Sequence, residues 1–182
     1  MHIALTGTPG IGKTSVSAVL RQKGFEVVDI NNVTVENNFF VGVDKERDSK
    51  IADVDKIDDY IKKHYSKDDM VFFDSHLSHL LKSVERVIVF RCHPDNLAKR
   101  LSSKRWKKEK IKENIEAEML DVILCETLEY HSEQNVFEID TTNKSIEEVA
   151  SSVMKIIENK FKHMKKYKIG NIDWSEEILR DF

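Results

Sequence analysis

The sequence is short of the residues that interrupt or staple a chain. It has two prolines, two cysteines and six glycines among 182 residues, too few for a collagen-like or low-complexity segment, and it shows no internal repeat or linker. The cysteines, Cys92 and Cys125, stand far apart and outside any C-x-x-C or metal-ligand spacing. That excludes a disulfide framework and a cysteine-built metal centre, and it suits a reduced, intracellular protein. Cys92 follows an apolar run and Cys125 falls in a helical pattern, where buried inert thiols are common. No apolar run approaches the roughly 20 residues a membrane helix needs. The first apolar strand begins almost at the N-terminus and leaves no room for a signal peptide, so a soluble, cytoplasmic chain is expected. Positive charge is not in excess either: 29 Lys and Arg stand against 32 Asp and Glu, for a net charge of −3. A protein built wholly around nucleic acid is therefore disfavoured, and only local basic patches stay open.

What the chain does have is apolar residue enough, 40% of the total, for one good core and a single domain with small mobile inserts. Half of its glycines, Gly7, Gly10 and Gly12, fall in one stretch, Gly7-Thr8-Pro9-Gly10-Ile11-Gly12-Lys13-Thr14. The stretch follows the apolar run Ile3 to Leu5, precedes a helical pattern and meets every fixed position of the P-loop motif G-x-x-x-x-G-K-[ST]. In such a loop consecutive backbone N–H groups point inward at the oxygens of a polyphosphate, an approach that glycine permits. Lys13 can place its ammonium between the terminal phosphates, Thr14 can offer its hydroxyl to Mg²⁺, and the following helix turns its positive end to the anion. A plain Gly/Pro turn is the bland alternative, and it carries little weight with all fixed positions met in this context. The spacing does not fit G-x-G-x-x-G, which disfavours a nicotinamide enzyme.

Five short apolar runs punctuate the chain: Ile3 to Leu5, Val27 to Ile30, Met70 to Phe73, Val87 to Phe90 and Val136 to Ile139. Most are continuous rather than alternating, as in strands covered on both faces, and helical patterns separate them. The expected fold is therefore α/β, a P-loop three-layer structure around a central, mainly parallel five-stranded sheet. Helices are expected from Lys13 to Gln22 with Gly24 as the stop, from Asp55 to His64, and from Pro94 onward through Leu97, Ala98 and Leu101. The longest helix is expected over Lys108 to His131, where Ile111, Ile115, Met119, Val122, Ile123 and Leu128 recur at helical spacing. A last helix is expected over Ser145 to His163, with Ser145 as N-cap. A lysine-rich tail, Lys160 to Lys168, and a short amphipathic end, Trp174 to Phe182, follow.

A phosphate loop needs a second anchor for its Mg²⁺, an Asp at the carboxyl end of an apolar strand. Met70-Val71-Phe72-Phe73-Asp74 supplies it, and Thr14 with Asp74 forms the expected metal pair. His76 stands two residues on, near enough to hydrogen-bond a water at a terminal phosphate; the bland reading is an ordinary polar contact. His79 lacks that argument. The run Lys99-Arg100-Leu101-Ser102-Ser103-Lys104-Arg105-Trp106-Lys107-Lys108, followed by Lys110 and Lys112, can close over phosphates as a lid. It could equally be a solvated basic face or an RNA-contacting patch. Arg105 is favoured among its neighbours because a planar guanidinium grips phosphate bidentately. The polar stretch Asn31 to Val54 is ambiguous in structure; in a small P-loop kinase it would bind the acceptor nucleotide.

With these landmarks the chain resembles the archaeal and eukaryotic adenylate kinase subfamily that includes the coilin-interacting nuclear ATPase. The likeness covers about residues 1 to 160. It rests on Gly7 to Thr14, on Asp44-Lys45-Glu46-Arg47-Asp48 leading to Asp55, on Asp74-Ser75-His76, and on Phe90-Arg91. It continues through Arg100-Leu101, Arg105-Trp106, Lys110 to Glu118 and Thr142-Asn143-Lys144. The resemblance implies a broad-specificity nucleoside monophosphate kinase with ATPase activity, which converts ATP and AMP to two ADP with Mg²⁺. It also implies a role in small-ribosomal-subunit maturation with transient binding to a ribosomal protein of the small-subunit platform. Carried onto matching positions, it implies Gly10, Gly12, Lys13, Thr14 and Ser15 for ATP, Asp74 and His76 at the reacting phosphate, and Arg105 in the lid. Asn143 and Lys144 would lie near the adenine and Arg47 on the acceptor side. The acceptor insert would span about 30–53, the lid about 104–114 and the basic tail about 160–182.

One position departs from the pattern: Asn31-Asn32-Val33-Thr34-Val35 stands where relatives often carry a Gly-Asp-Leu-Ala-Arg type of sequence, which leaves Val35 where a basic residue is expected. The leading expectation is a Mg²⁺-ATP-dependent adenylate or nucleoside monophosphate kinase. An ATP-driven assembly factor, with the basic lid and tail meeting ribosomal RNA or protein, is the rival. A small-metabolite kinase on the same fold stays open as a third reading.

Overall fold

The computed structural model describes residues 1–45, 49–104 and 106–180. The chain runs β1 (His2–Thr6), α1 (Lys13–Gln22), β2 (Glu26–Asp29), α2 (Ile30–Glu36), β3 (Phe40–Asp44), β4 (Ser49–Ala52), α3 (Val54–His64), β5 (Val71–Asp74) and β6 (Arg86–Arg91). It continues through α4 (Pro94–Ser102), α5 (Lys108–Met119), α6 (Val122–Tyr130), β7 (Val136–Asp140), α7 (Ile146–Glu158) and α8 (Ser175–Arg180). Five strands form one sheet in the order β2-β5-β1-β6-β7, and every pairing in it is parallel. The expected α/β architecture is what folds.

The uninterrupted apolar runs follow from burial on both sheet faces. Along β6, Ile88 and Phe90 enter a layer with Phe72 of β5, while Val87 and Val89 point the other way to join Phe73. The first layer is closed by Val16 and Leu20 of α1, Leu97 and Leu101 of α4, and Val149, Val153 and Ile156 of α7. The second is closed by Ile30 and Val33 of α2, Ile57 and Ile61 of α3, and Leu124 of α6. A fully buried ring such as Phe72 or Phe73 contributes about 1.5–3 kcal/mol through burial alone, so the two layers anchor the strand ends firmly.

The structure redraws three of the sequence-based elements. The second strand ends at Asp29 rather than Ile30, because the Asp29 carboxylate accepts the N–H groups of Asn31 (2.8 Å) and Asn32 (3.2 Å) and so caps α2. The single helix expected over Lys108 to His131 is instead two, α5 and α6. Asp121 breaks it in a left-handed conformation, φ +55°, with its carboxylate drawn onto Arg91. The last helix stops at Glu158; Lys160 and Phe161 turn left-handed (φ +54° and +55°), which drives the Phe161 ring into the core. Its start is as expected: Ser145 Oγ accepts from Glu148 N while Glu148 accepts from Ser145 N, a reciprocal capping box.

The ambiguous stretch after β2 folds as α2 and a separate antiparallel hairpin, β3–β4, with an irregularity at Phe40/Gly42. Cys92 is buried as expected, but Cys125 is exposed, because α6 turns Leu124 and Thr127 inward instead. Among the described residues no helix is long and apolar enough to cross a membrane.

Candidate active site

The sheet order decides where the chemistry gathers. β1 is central, and its carboxyl end runs into the glycine loop between β5 and β6. The register pairs Leu5 with Asp74 on one side, and Asp74 in turn with Asp29 of β2. Two carboxylates therefore flank the loop along one edge, which is where open α/β sheets bind ligands.

The loop itself needs its glycines. Gly7 adopts φ +137° and lies so close to β6 that a Cβ there would sit 2.5 Å from Phe90 O. Gly12 adopts φ +110° as the residue preceding α1, a left-handed conformation open to glycine at little cost. Lys13 follows at the first position of α1 and bends back under the loop, where its Nζ donates to Gly7 O (2.5 Å) and Thr8 O (3.1 Å). The side chain is buried, and burial pushes its ammonium down to about 8, against the pull of Asp74 and Glu118. A cation is thus stored beneath the glycine loop on two of its carbonyl oxygens, at the place where a loop of this type meets a polyphosphate.

Asp74 ends β5 and is buried. Burial pushes its carboxyl up from the ordinary range, partly offset by the Lys13 ammonium. Burial also pushes the His76 imidazole down to about 4, with Lys13 and His79 adding to the effect. His76 is consequently neutral near pH 7 and can accept or relay a hydrogen bond. His79 is fully buried and bridges elements: its Nδ1 lies 3.0 Å from Thr6 Oγ1 and its Nε2 3.1 Å from Glu126 Oε2. A carboxylate only accepts, so Nε2 carries the proton and Nδ1 accepts from Thr6. The histidine without a role in the sequence reading thus fastens the His76 turn to β1 and α6.

Beside the loop opens a cleft of about 520 Å³, lined by Gly10, Gly12, Ser15, Phe90, Lys144 and Ile146 among others. Arg100 closes its floor by donating to Ile11 O (2.9 Å), Thr141 Oγ1 (3.1 Å) and Thr141 O (2.8 Å). Lys144 borders the cleft with its ammonium on Asp140 O, whereas Asn143 accepts from Asn96 Nδ2 (2.6 Å) and stands outside the lining. The structure brings Gly10, Gly12 and Ser15 together with Lys144 in the cleft, buries the Lys13 ammonium under the loop, and sets Asp74 and His76 at and just beyond the end of the neighbouring strand. Arg47 and Arg105 lie outside the described residues. On either side of Arg105, the ammonium groups of Lys104 and Lys110 each stand 4.8 Å from the centre of the Trp106 ring.

A buried ion cluster behind the loop was not read from the sequence. Arg91, at the end of β6, donates to Glu118 Oε1 (2.8 Å) and Glu138 Oε1 (2.7 Å) and also pairs with Asp121. The three carboxylates and their hydrogen bonds hold the guanidinium well above its ordinary value despite burial. Its one visible signal was an arginine closing an apolar run, Val87-Ile88-Val89-Phe90-Arg91. Among the described residues no three His, Cys, Asp or Glu side chains form a metal cluster. A cation at the loop would rest on hard oxygen, the Thr14 hydroxyl and the buried Asp74 carboxylate, with a ligand's phosphates completing its shell. This donor set fits Mg²⁺.

A parallel sheet carrying a glycine loop, lysine and strand-end aspartate defines a P-loop NTPase fold of the small-kinase type. Over 87% of this chain and 98% of its own, shikimate kinase from Bacteroides thetaiotaomicron superposes with a TM-score of 0.54 at 15% identity. A gluconokinase from Sinorhizobium meliloti does so with a TM-score of 0.53 at 14% identity, covering 88% of this chain and 95% of its own. At such identities the likeness concerns the fold. Residues 3–121 match a family model described as an AAA domain. A protein of Archaeoglobus fulgidus is 44% identical over 178 residues, 98% of this chain and 94% of its own length. One of Methanocaldococcus jannaschii is 39% identical over 180 residues, 98% of this chain and 96% of its own. Both carry the description "Putative adenylate kinase", and the chain belongs to that archaeal family.

Proposed function

We propose that the protein is a nucleoside monophosphate kinase that transfers the terminal phosphoryl group of ATP to AMP or a related monophosphate. The observation that carries this reading is the buried Lys13 ammonium under the glycine loop, one strand away from Asp74. Membership of a family described as adenylate kinases supports the acceptor class. In the reaction an acceptor phosphate oxygen bonds to the γ-phosphorus as the bond to the β,γ-bridging oxygen breaks. Loop N–H groups hold the phosphates in line, Lys13 exchanges its carbonyl partners for phosphate oxygens, and neutral His76 orients the water or acceptor oxygen at the γ-phosphate. Bound through Thr14 and Asp74, Mg²⁺ would supply charge neutralisation. Most of the rate then comes from positioning. In this reading Ser15 and Lys144 border the ATP cleft, Asn143 lies near the adenine, Arg105 is the lid clamp, and Arg47 serves the acceptor side. The segments 30–53, 104–114 and 160–182 act as acceptor insert, lid and basic tail of one domain.

A second reading is an ATPase that assists small-ribosomal-subunit maturation in the cytoplasm, docking a platform ribosomal protein and contacting ribosomal RNA through the lid and tail. Two observations favour it. Lys155, Lys160, Lys162, Lys165, Lys166 and Lys168 are all exposed on a chain whose net charge is −3, and Val35, where the resemblance leads one to expect a basic residue, is an exposed apolar side chain. The deciding experiment incubates the purified protein with Mg²⁺-ATP, alone and with AMP, dAMP, CMP or UMP, and separates the nucleotides. The kinase reading expects AMP-dependent formation of two ADP. Steady hydrolysis with no diphosphate formed from any monophosphate would overturn it in favour of the second reading.

A further inference from the structure

We infer that Glu118 is a positioning residue through which occupancy of the phosphate loop is coupled to the lid-bearing helix α5 and to the C-terminal segment. The inference rests on the reading above in placing ATP at the loop and the lid at the start of α5; it is independent of the acceptor.

Glu118 is 3% exposed, and both its oxygens are in use. Oε2 accepts from Thr8 Oγ1 at 2.6 Å, the hydroxyl of the second residue of the glycine loop. Oε1 accepts from Arg91 Nε (2.8 Å), from the backbone N–H of Cys92 (3.0 Å) and from Trp174 Nε1 (3.4 Å). One carboxylate therefore meets the loop, the end of β6 and the tail. Thr8 is itself a shared point of the loop's bonding: its carbonyl accepts from both Lys13 Nζ (3.1 Å) and Ile11 N (3.3 Å). A phosphate that draws the Lys13 ammonium away removes one of that carbonyl's two donors, and the hydroxyl of the same residue transmits the adjustment to Glu118.

The geometry gives the adjustment somewhere to go. Helix α5 has 12 residues and is about 18 Å long at 1.5 Å per residue. Its first turn follows Trp106, which carries Lys104 and Lys110 on its ring, and its last turn bears Glu118. It is a rod with the lid at one end and a buried, charge-assisted bond to the loop at the other. On the far side of Glu118 the Trp174 indole meets the His93 ring edge-on at 5.1 Å, and His93 Nε2 lies 3.4 Å from Glu177. Gly170 N also donates to Glu138 Oε2 (2.7 Å), so the tail is fastened to the Arg91 cluster twice.

The protein's only two tryptophans, Trp106 and Trp174, flank the two ends of this rod. The full chain labelled with 5-fluorotryptophan gives two fluorine resonances, assigned with Trp174→Phe. Titration with Mg²⁺-ATP is expected to move the Trp174 resonance saturably, with the midpoint found by calorimetry. In Thr8→Val the KM for ATP is expected to stay within about twofold while ATP turnover falls about tenfold and the Trp174 response disappears. Thr8→Ser, which keeps the hydroxyl, is expected to restore both. A wild-type Trp174 resonance that stays still at ATP saturation overturns the coupling, a result that needs no variant to fold. So does a wild-type response in Thr8→Val, or failure of Thr8→Ser to rescue. A nucleotide-driven Trp174 shift in a protein that phosphorylates no acceptor would uphold the coupling and remove the kinase reading instead.

Discussion

Replacing Lys13 by Met should make the protein more stable while it destroys turnover. The Lys13 ammonium titrates near 8 in the fold instead of 10.5, chiefly because it is buried. Keeping it charged at pH 7 therefore costs the folded state on the order of 3 kcal/mol. Its bonds to Gly7 O and Thr8 O return part of this through the loop, and Met keeps the length and bulk of the stem. The net gain for Lys13→Met at pH 7 is expected at about 2 kcal/mol, or roughly 4–8 °C in Tm for a chain of this size. The sign carries a pH signature. Between pH 8 and 10.5 the unfolded chain holds the proton that the folded chain has released, so wild-type stability rises through that window. The advantage of the variant should accordingly shrink from pH 7 to pH 10. Urea unfolding followed by circular dichroism at pH 7, 8.5 and 10 measures it, alongside a nucleotide assay in which turnover falls at least about 100-fold. A variant less stable than wild type at pH 7, or a difference that ignores pH, would refute the reasoning.

Three further outcomes are expected. Asp74→Asn should remove the response of activity to Mg²⁺ concentration and cut turnover at least about 100-fold, while Tm holds or rises because a buried charge is gone; a Mg²⁺ response equal to that of wild type would exclude Asp74 from the metal. Because His76 titrates near 4, kcat should show no histidine limb between pH 5.5 and 7.5, and a wild-type limb near 6.5 that vanishes in His76→Asn would contradict the neutral assignment. Val35→Arg, at an exposed site on α2, should raise kcat/KM for AMP about tenfold by returning a phosphate-binding cation, whereas an unchanged value in the substrate screen would place Val35 outside the acceptor site.

The parts of the site legible in the sequence were those whose chemistry is local. Gly7 to Thr14 can be read because the loop's backbone angles and its lysine are dictated within eight neighbouring positions. Asp74 can be read because a buried parallel strand ends abruptly in charge. What stayed hidden depends on residues brought together from afar. Thr8 and Glu118 are 110 positions apart, and nothing near Glu118 distinguishes it from its acidic neighbours on α5. The break at Asp121 was missed for the same reason: apolar spacing continues across it, and only the pull of Arg91 from β6 makes the left-handed turn favourable. The hairpin β3–β4 carries Val41 and Val43 outward, so it lacks the buried alternation that announces a strand.

That hairpin is attached in a manner with its own consequence. Its two ends are drawn together at the base, where Asp53 N donates to Phe39 O at 2.9 Å, and its strands pair with each other instead of joining the main sheet. Lengthening or exchanging the hairpin's tip beyond that pinch leaves the main sheet's hydrogen bonds untouched, and of its strands only Ala52 packs against a core layer; closing a longer loop adds only about 0.6 kcal/mol per doubling. The segment is in effect a cassette with a standard fitting. A designer can graft a foreign loop at the tip between β3 and β4, keeping Ala52, without rebuilding the core beneath it.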